Sequence, residues 1–213
     1  MGSKMLTGSM LVFGPLLGII MLFVEPGGTD EDKFAVAAQK MLENSTLASL
    51  SGVGFTVAML AVTIGTAYLA RSMQGEQKPG SDLAGLASVL ALLSAAVIIV
   101  SSGIQMAILA PTWADKGGDI TTALAIGEAI SGNAFLLMGA ATLLLGIAIF
   151  RQKNLNQIVG GITALFGGCL LGGWIFPTAG SENITGLIGF IGFLGWIIMT
   201  LVLGGLTIKQ ARN

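Results

Sequence analysis

The side chains that most often carry chemistry are scarce in this chain. Its 213 residues include no histidine and a single cysteine, Cys169. The commonest ligand for zinc, copper and haem is therefore absent, as is the side chain that most often moves protons near neutral pH. One cysteine can form neither an intrachain disulfide nor a thiolate cluster. Cys169 also sits inside an apolar run, where a small core residue is the ordinary expectation. No Walker loop, dinucleotide fingerprint, GxSxG, HExxH or CxxC occurs. The reading is therefore no metal, no cofactor and no catalytic residue.

Among the carboxylates, Glu128 stands alone between the uncharged stretches 120–127 and 129–150. An ionisable group at mid-membrane depth is a functional hypothesis by default. Arg151 closes the stretch that follows, and a span needs about 20 residues, so that span begins near Ser131 and Glu128 is expected at the interface. Gln105 and Asn133 fall near the same end of adjacent spans. They are read as partners for each other, or as the lining of a shallow outer pocket with Glu128. A quinone or lipid enzyme would need a second carboxylate beside Glu128, and the acids expected on its side are Asp115 and Asp119.

The elements that position these residues follow from composition. The chain is 54% hydrophobic and only 10% charged, with a mean hydropathy of +0.87. An average soluble domain carries roughly 25% charged residues. A soluble enzyme, a nucleic-acid binder and a disordered tail are excluded. The fold class is an all-α integral membrane protein. Uncharged runs place six spans at about 5–24, 47–70, 84–110, 130–150, 156–177 and 185–208. The whole chain reads as one polytopic domain. The first run is expected to remain as a span, because EPGG follows it rather than an A-x-A-like cleavage site.

Orientation follows from Lys and Arg. With the N-terminus inside, the inner segments hold Lys4, Arg71, Lys78, Arg151, Lys153, Lys209 and Arg212, and the outer segments only Lys33, Lys40 and Lys116. Both termini are expected inside. The outer loop at 27–45 has Phe34, Ala38 and Met41 at helical spacing and predicts a short interfacial helix. GGDITTALAIGEAI predicts a weaker one.

Three outer turns repeat a proline two residues after an aliphatic, at Pro26, Pro111 and Pro177, and even-numbered spans end at Arg71, Arg151 and Lys209. Three helical hairpins in series would give this pattern. So would chance, since prolines are common at helix ends and basic residues at inner ends. Gly160, Ala164, Gly168 and Gly172 recur every fourth residue on the fifth span, forming a ridge where another backbone can approach closely. Pro15 is expected to kink the first span. The two N-x-S/T sequons, at Asn44 and Asn183, both fall on the outer side.

Bare loops, smooth ridges and the lack of mid-membrane charge lead to the functional expectation. This is a non-catalytic accessory subunit of a larger membrane assembly, multi-pass in the cell membrane, taken as a prokaryotic plasma membrane. Its expected partners are the lipid bilayer and other membrane subunits or copies of itself, with no nucleic acid. The alternative is a small transporter or channel for a neutral or lipophilic solute.

Overall fold

The computed structural model describes residues 2–27, 33–110, 113, 115–153, 155–175 and 182–213, and within 182–185 only the backbone. Seven helices occur among them: α1 (Gly2–Val24), α2 (Phe34–Glu43), α3 (Ser45–Ser72), α4 (Ser81–Ile108), α5 (Ile120–Gln152), α6 (Gln157–Ile175) and α7 (Glu182–Arg212). No strand occurs among the described residues. Six of the helices are long and apolar enough to cross a membrane, and the chain is a multi-pass helical membrane protein. Pro26 lies just beyond α1, as expected of a helix stop, whereas Pro111 and Pro177 lie outside the described residues.

The six spans form a closed ring. Each packs on its neighbours in chain order, and α1 packs on α7 to complete the circle. The expected hairpin pairs α1/α3, α4/α5 and α6/α7 are in contact. So are α3/α4 and α5/α6, the last being the most extensive interface of all. The hairpins therefore merge into one continuous bundle. Side chains fill the ring axis: Met59 from α3, Ile98 from α4, Met138 from α5, Leu170 from α6 and Trp196 from α7, with Phe135 and Phe193 against them. The opposite faces expose Phe13, Leu50, Ile99, Leu165 and Phe190, as a hydrocarbon surround requires.

Missing side chains set the helix spacing. A β-carbon on Gly139 would lie 2.7 Å from the Leu171 backbone nitrogen, and one on Gly160 would lie 2.5 Å from that of Phe150. Gly146 and Gly167 meet the backbones of Ala164 and Leu143 in the same interface. At the ring closure, β-carbons on Gly8 and Gly204 would lie 2.8 Å and 2.9 Å from each other's carbonyl oxygens. Between α4 and α5 the device is a hydroxyl. Ser94 donates to the Ala134 carbonyl at 2.8 Å and Ser101 to that of Gly127 at 2.9 Å. Both pairs step by seven residues along each helix, so they occupy one seam.

One feature differs from the sequence reading. The expected second interfacial helix is not separate: residues 120–130 are the opening turns of α5. Asp119 starts that helix, accepting from the Thr121 N–H at 3.0 Å and from the Thr122 hydroxyl, so the helix nucleates ten residues earlier than the apolar run suggests. Its 33 residues extend to about 50 Å, against a hydrocarbon core of about 30 Å. By contrast, a helix does form within the 27–45 segment. α2 buries Ala38 and Met41 against Ala48, Ile108, Ala123 and Leu124, capping the ends of α3, α4 and α5.

Close packing makes a direct prediction. Gly139→Ala is expected to destabilise the ring by about 1–3 kcal/mol, the usual cost of overpacking. Gly18→Ala meets only the Ala58 β-carbon, at an ordinary 3.7 Å, and should leave stability unchanged or raised. Thermal melts of both variants in one detergent check the contrast.

Candidate functional site

The antiparallel ring sorts charge to its two ends. Lys4, Leu69, Ser72, Leu155, Gln210 and Asn213 line one pocket at the basic end, and Gln152 ties the α3–α4 turn there by donating to the Met73 carbonyl at 2.8 Å. Arg71 turns its Nε to the buried Ser88 hydroxyl at 3.2 Å, bracing α3 on α4. The opposite, acidic end holds every residue singled out for an outer pocket.

Glu128 lies near the start of α5 with its side chain exposed. It is seven residues, or two turns, before Phe135, so the two share a helix face. The Phe135 ring packs on Phe193 at 5.9 Å and Trp196 at 6.4 Å, and lies parallel to Trp174 at 6.2 Å. That face looks toward the ring axis, and Glu128 stands above the aromatic cluster. Trp174 reaches this cluster because Gly132 leaves it room: a β-carbon there would lie 2.7 Å from the indole.

Gln105 and Asn133 take different places around α5. Gln105 leans on α5 at Gly127, 3.5 Å from the position a β-carbon there would take. Asn133 is exposed, two residues from Phe135 and so on nearly the opposite face. Its amide donates to the Ala129 carbonyl of its own helix at 3.2 Å. The expected ridge on α6 also divides. Gly160 faces α5, and Ala164 meets Gly146. Gly168 and Gly172, with Gly161 and Leu165, line an open apolar groove between Leu143 of α5 and Ile188 of α7. A β-carbon on Gly168 would have only the Leu143 side chain near it, at 3.9 Å. The residue that meets backbone is the adjacent Gly167. Cys169 is a free, half-buried thiol on the wall of the same groove.

The residue that the sequence reading missed is Glu25. It follows the last turn of α1, and its N–H still donates to the Met21 carbonyl at 3.0 Å. Partial burial raises its pKa, and the nearby Glu128 carboxylate raises it further. The two acids are far apart in sequence, and only the ring brings them together. Asp119 behaves oppositely: the Thr122 hydroxyl, and then the backbone N–H groups of Thr121 and Thr122, hold its pKa down. No group of three metal-ligating side chains occurs among the described residues.

No family model matches this chain, and no curated protein or solved structure matches it.

A raised carboxylate pKa means that the folded state holds the proton more tightly than the unfolded chain does. Stability is then highest at acid pH and falls as pH rises from the ordinary 4.5 of the side chain through the raised folded value. The melting temperature of the wild-type protein should fall over that interval. Glu25→Gln is expected to remove this part of the slope and to be the more stable form at neutral pH. Melts of both proteins from pH 4 to 8 check this.

Proposed function

We propose that this protein is a non-catalytic accessory subunit of a larger assembly in the cell membrane, with both termini and the basic end on the cytoplasmic side. The observation that carries the reading is the filled axis. Met59, Phe135, Met138, Phe193 and Trp196 occupy the centre of the ring, and Leu11, Leu69, Leu145 and Leu203 continue the packing toward the basic end. The competing reading, a small transporter or channel for a neutral or lipophilic solute, needs a path through that centre.

The polar side chains of the spans support the same reading. Thr63, Thr163, Thr200 and Thr207 donate to carbonyls of their own helices at 2.7–2.9 Å. Ser94 and Ser101 are held by α5. Among the described residues no buried side-chain nitrogen or oxygen lacks a partner, so these groups serve packing and leave nothing aimed at a solute. The open groove beside Gly168 gives a neighbouring span a surface of small residues on which to lie. The seven basic residues of the inner segments, against three outside, support the orientation.

Two adjacent glycines test the proposal. Gly168→Leu should leave the melting temperature within about 2 °C, since a change of 1 kcal/mol shifts a chain of this size by about 2–4 °C. It should also release the partners from a native complex extracted in mild detergent. Gly167→Leu meets the Leu143 backbone and should unfold the ring itself. Native gels with mass spectrometry of the bands read both. A photo-crosslinker on the native Cys169 should attach to the same partners. A wild-type chain that runs alone, or as small oligomers of itself with no other protein, would overturn the subunit reading.

A further inference from the structure

A cup opens at the basic end of the ring, at the mouth of its axis. Its lining is Lys4 of α1, Leu69 and Ser72 of α3, Leu155 of the α5–α6 turn, and Gln210 and Asn213 at the end of α7. Its volume is about 390 Å³, within the range of small-molecule sites. Helical spacing places it on the axis. Lys4, Thr7 and Leu11 share one face of α1, Leu69 and Ser72 one face of α3, and Leu203, Thr207 and Gln210 one face of α7. The deepest member of each set, Leu11, Leu69 or Leu203, is buried in the plug with Leu145, and Leu155 packs against the same cluster. The cup therefore has a leucine floor. Its walls are the inward faces of the helices, so the bilayer lies on their other side.

The polar wall of the cup carries one uncompensated charge. Lys4 is the only charged side chain in the lining, and among the described residues its ammonium makes no hydrogen bond or ion pair. The acids of this end, Glu76 and Asp82, belong to the α3–α4 turn and the first turn of α4, and neither lines the cup. The Ser72 hydroxyl is held by its own helix, donating to the Leu69 carbonyl at 2.7 Å. A single cation matches a single negative charge, and the leucine floor matches an apolar body. A multivalent anion would leave charge unmatched, and a neutral chain would leave Lys4 unmet.

We propose that the cup binds a small organic monoanion, a carboxylate on a short apolar chain, with the carboxylate on Lys4 and the chain over Leu69 and Leu155. This site stands independently of the subunit reading, since it needs no protein partner.

Sodium hexanoate is the probe. The full chain is melted in one detergent with hexanoate, with sodium chloride at the same ionic strength, and with hexanol. Hexanoate should raise the wild-type melting temperature saturably, by about 3–6 °C at ten times its dissociation constant. Chloride and hexanol should give no saturable rise. Lys4→Gln should lose the hexanoate shift, and Lys4→Arg should keep it. Ser72→Phe, across the mouth of the cup, should also remove it. Lys4 faces the carbonyl ends of α3 and α7 as well. A role confined to offsetting those ends would lower the unliganded melting temperature of Lys4→Gln and leave the hexanoate shift intact, which would overturn the ion pair. A wild-type protein with no saturable hexanoate shift would overturn the site. An equal shift with chloride would overturn the assignment of an apolar chain, and an equal shift with hexanol that of a carboxylate.

Discussion

Two backbones can come together in hydrocarbon only where a side chain is absent or small, and the rest of this structure depends on that constraint. Lipid tails are as apolar as leucine, so helices gain little by hiding leucine from them. They associate through contact area and through hydrogen bonds between helices. Here the contact is made by Gly139, Gly146, Gly160 and Gly167 between α5 and α6, and by Gly8 and Gly204 where the first and last spans meet. The hydroxyls of Ser94 and Ser101 do the equivalent work between α4 and α5. Closing the ring in this way leaves a central space that only large side chains can fill, and the aromatic and methionine cluster around Phe135 fills it.

That order of causes explains what the sequence made legible. Membrane character and the six spans follow from long uncharged runs, which are a local property. Close packing was legible as a quantity of glycine but not as a geometry. A four-residue spacing on α6 picks out Gly160, Ala164, Gly168 and Gly172, yet the chain wraps neighbours on both flanks of α6, and the glycine meeting backbone beside Leu143 is Gly167. The early start of α5 was hidden for another reason. Hydropathy marks where a helix enters lipid, whereas the Asp119 cap marks where the helix begins.

The candidate site was the least legible part. Glu128 could be found because it interrupts an apolar pattern. Glu25 could not, because it sits among the acids of an outer segment, and nothing local says that its charge reaches Glu128. The three residues read as an outer pocket are spread around α5: Asn133 is two residues from Phe135 and lies on nearly the opposite face, while Gln105 leans on Gly127. Glu25 and Glu128, whose charges influence each other, stand on elements that are not neighbours in the ring. Both lie at the acidic end, beyond a plugged centre.

The central claim is that the first and last spans close the ring through backbone contact, and a single crosslink tests it. A β-carbon on Gly204 would lie 3.0 Å from that of Leu11, close to the 3.5–4.5 Å or so that a disulfide requires. Leu11→Cys with Gly204→Cys, in a Cys169→Ser background, should oxidise within one chain. Proteolysis in the 73–80 turn would then leave two fragments that separate only on reduction. Fragments that separate without reductant, or a disulfide that forms only between chains, would contradict the closed ring.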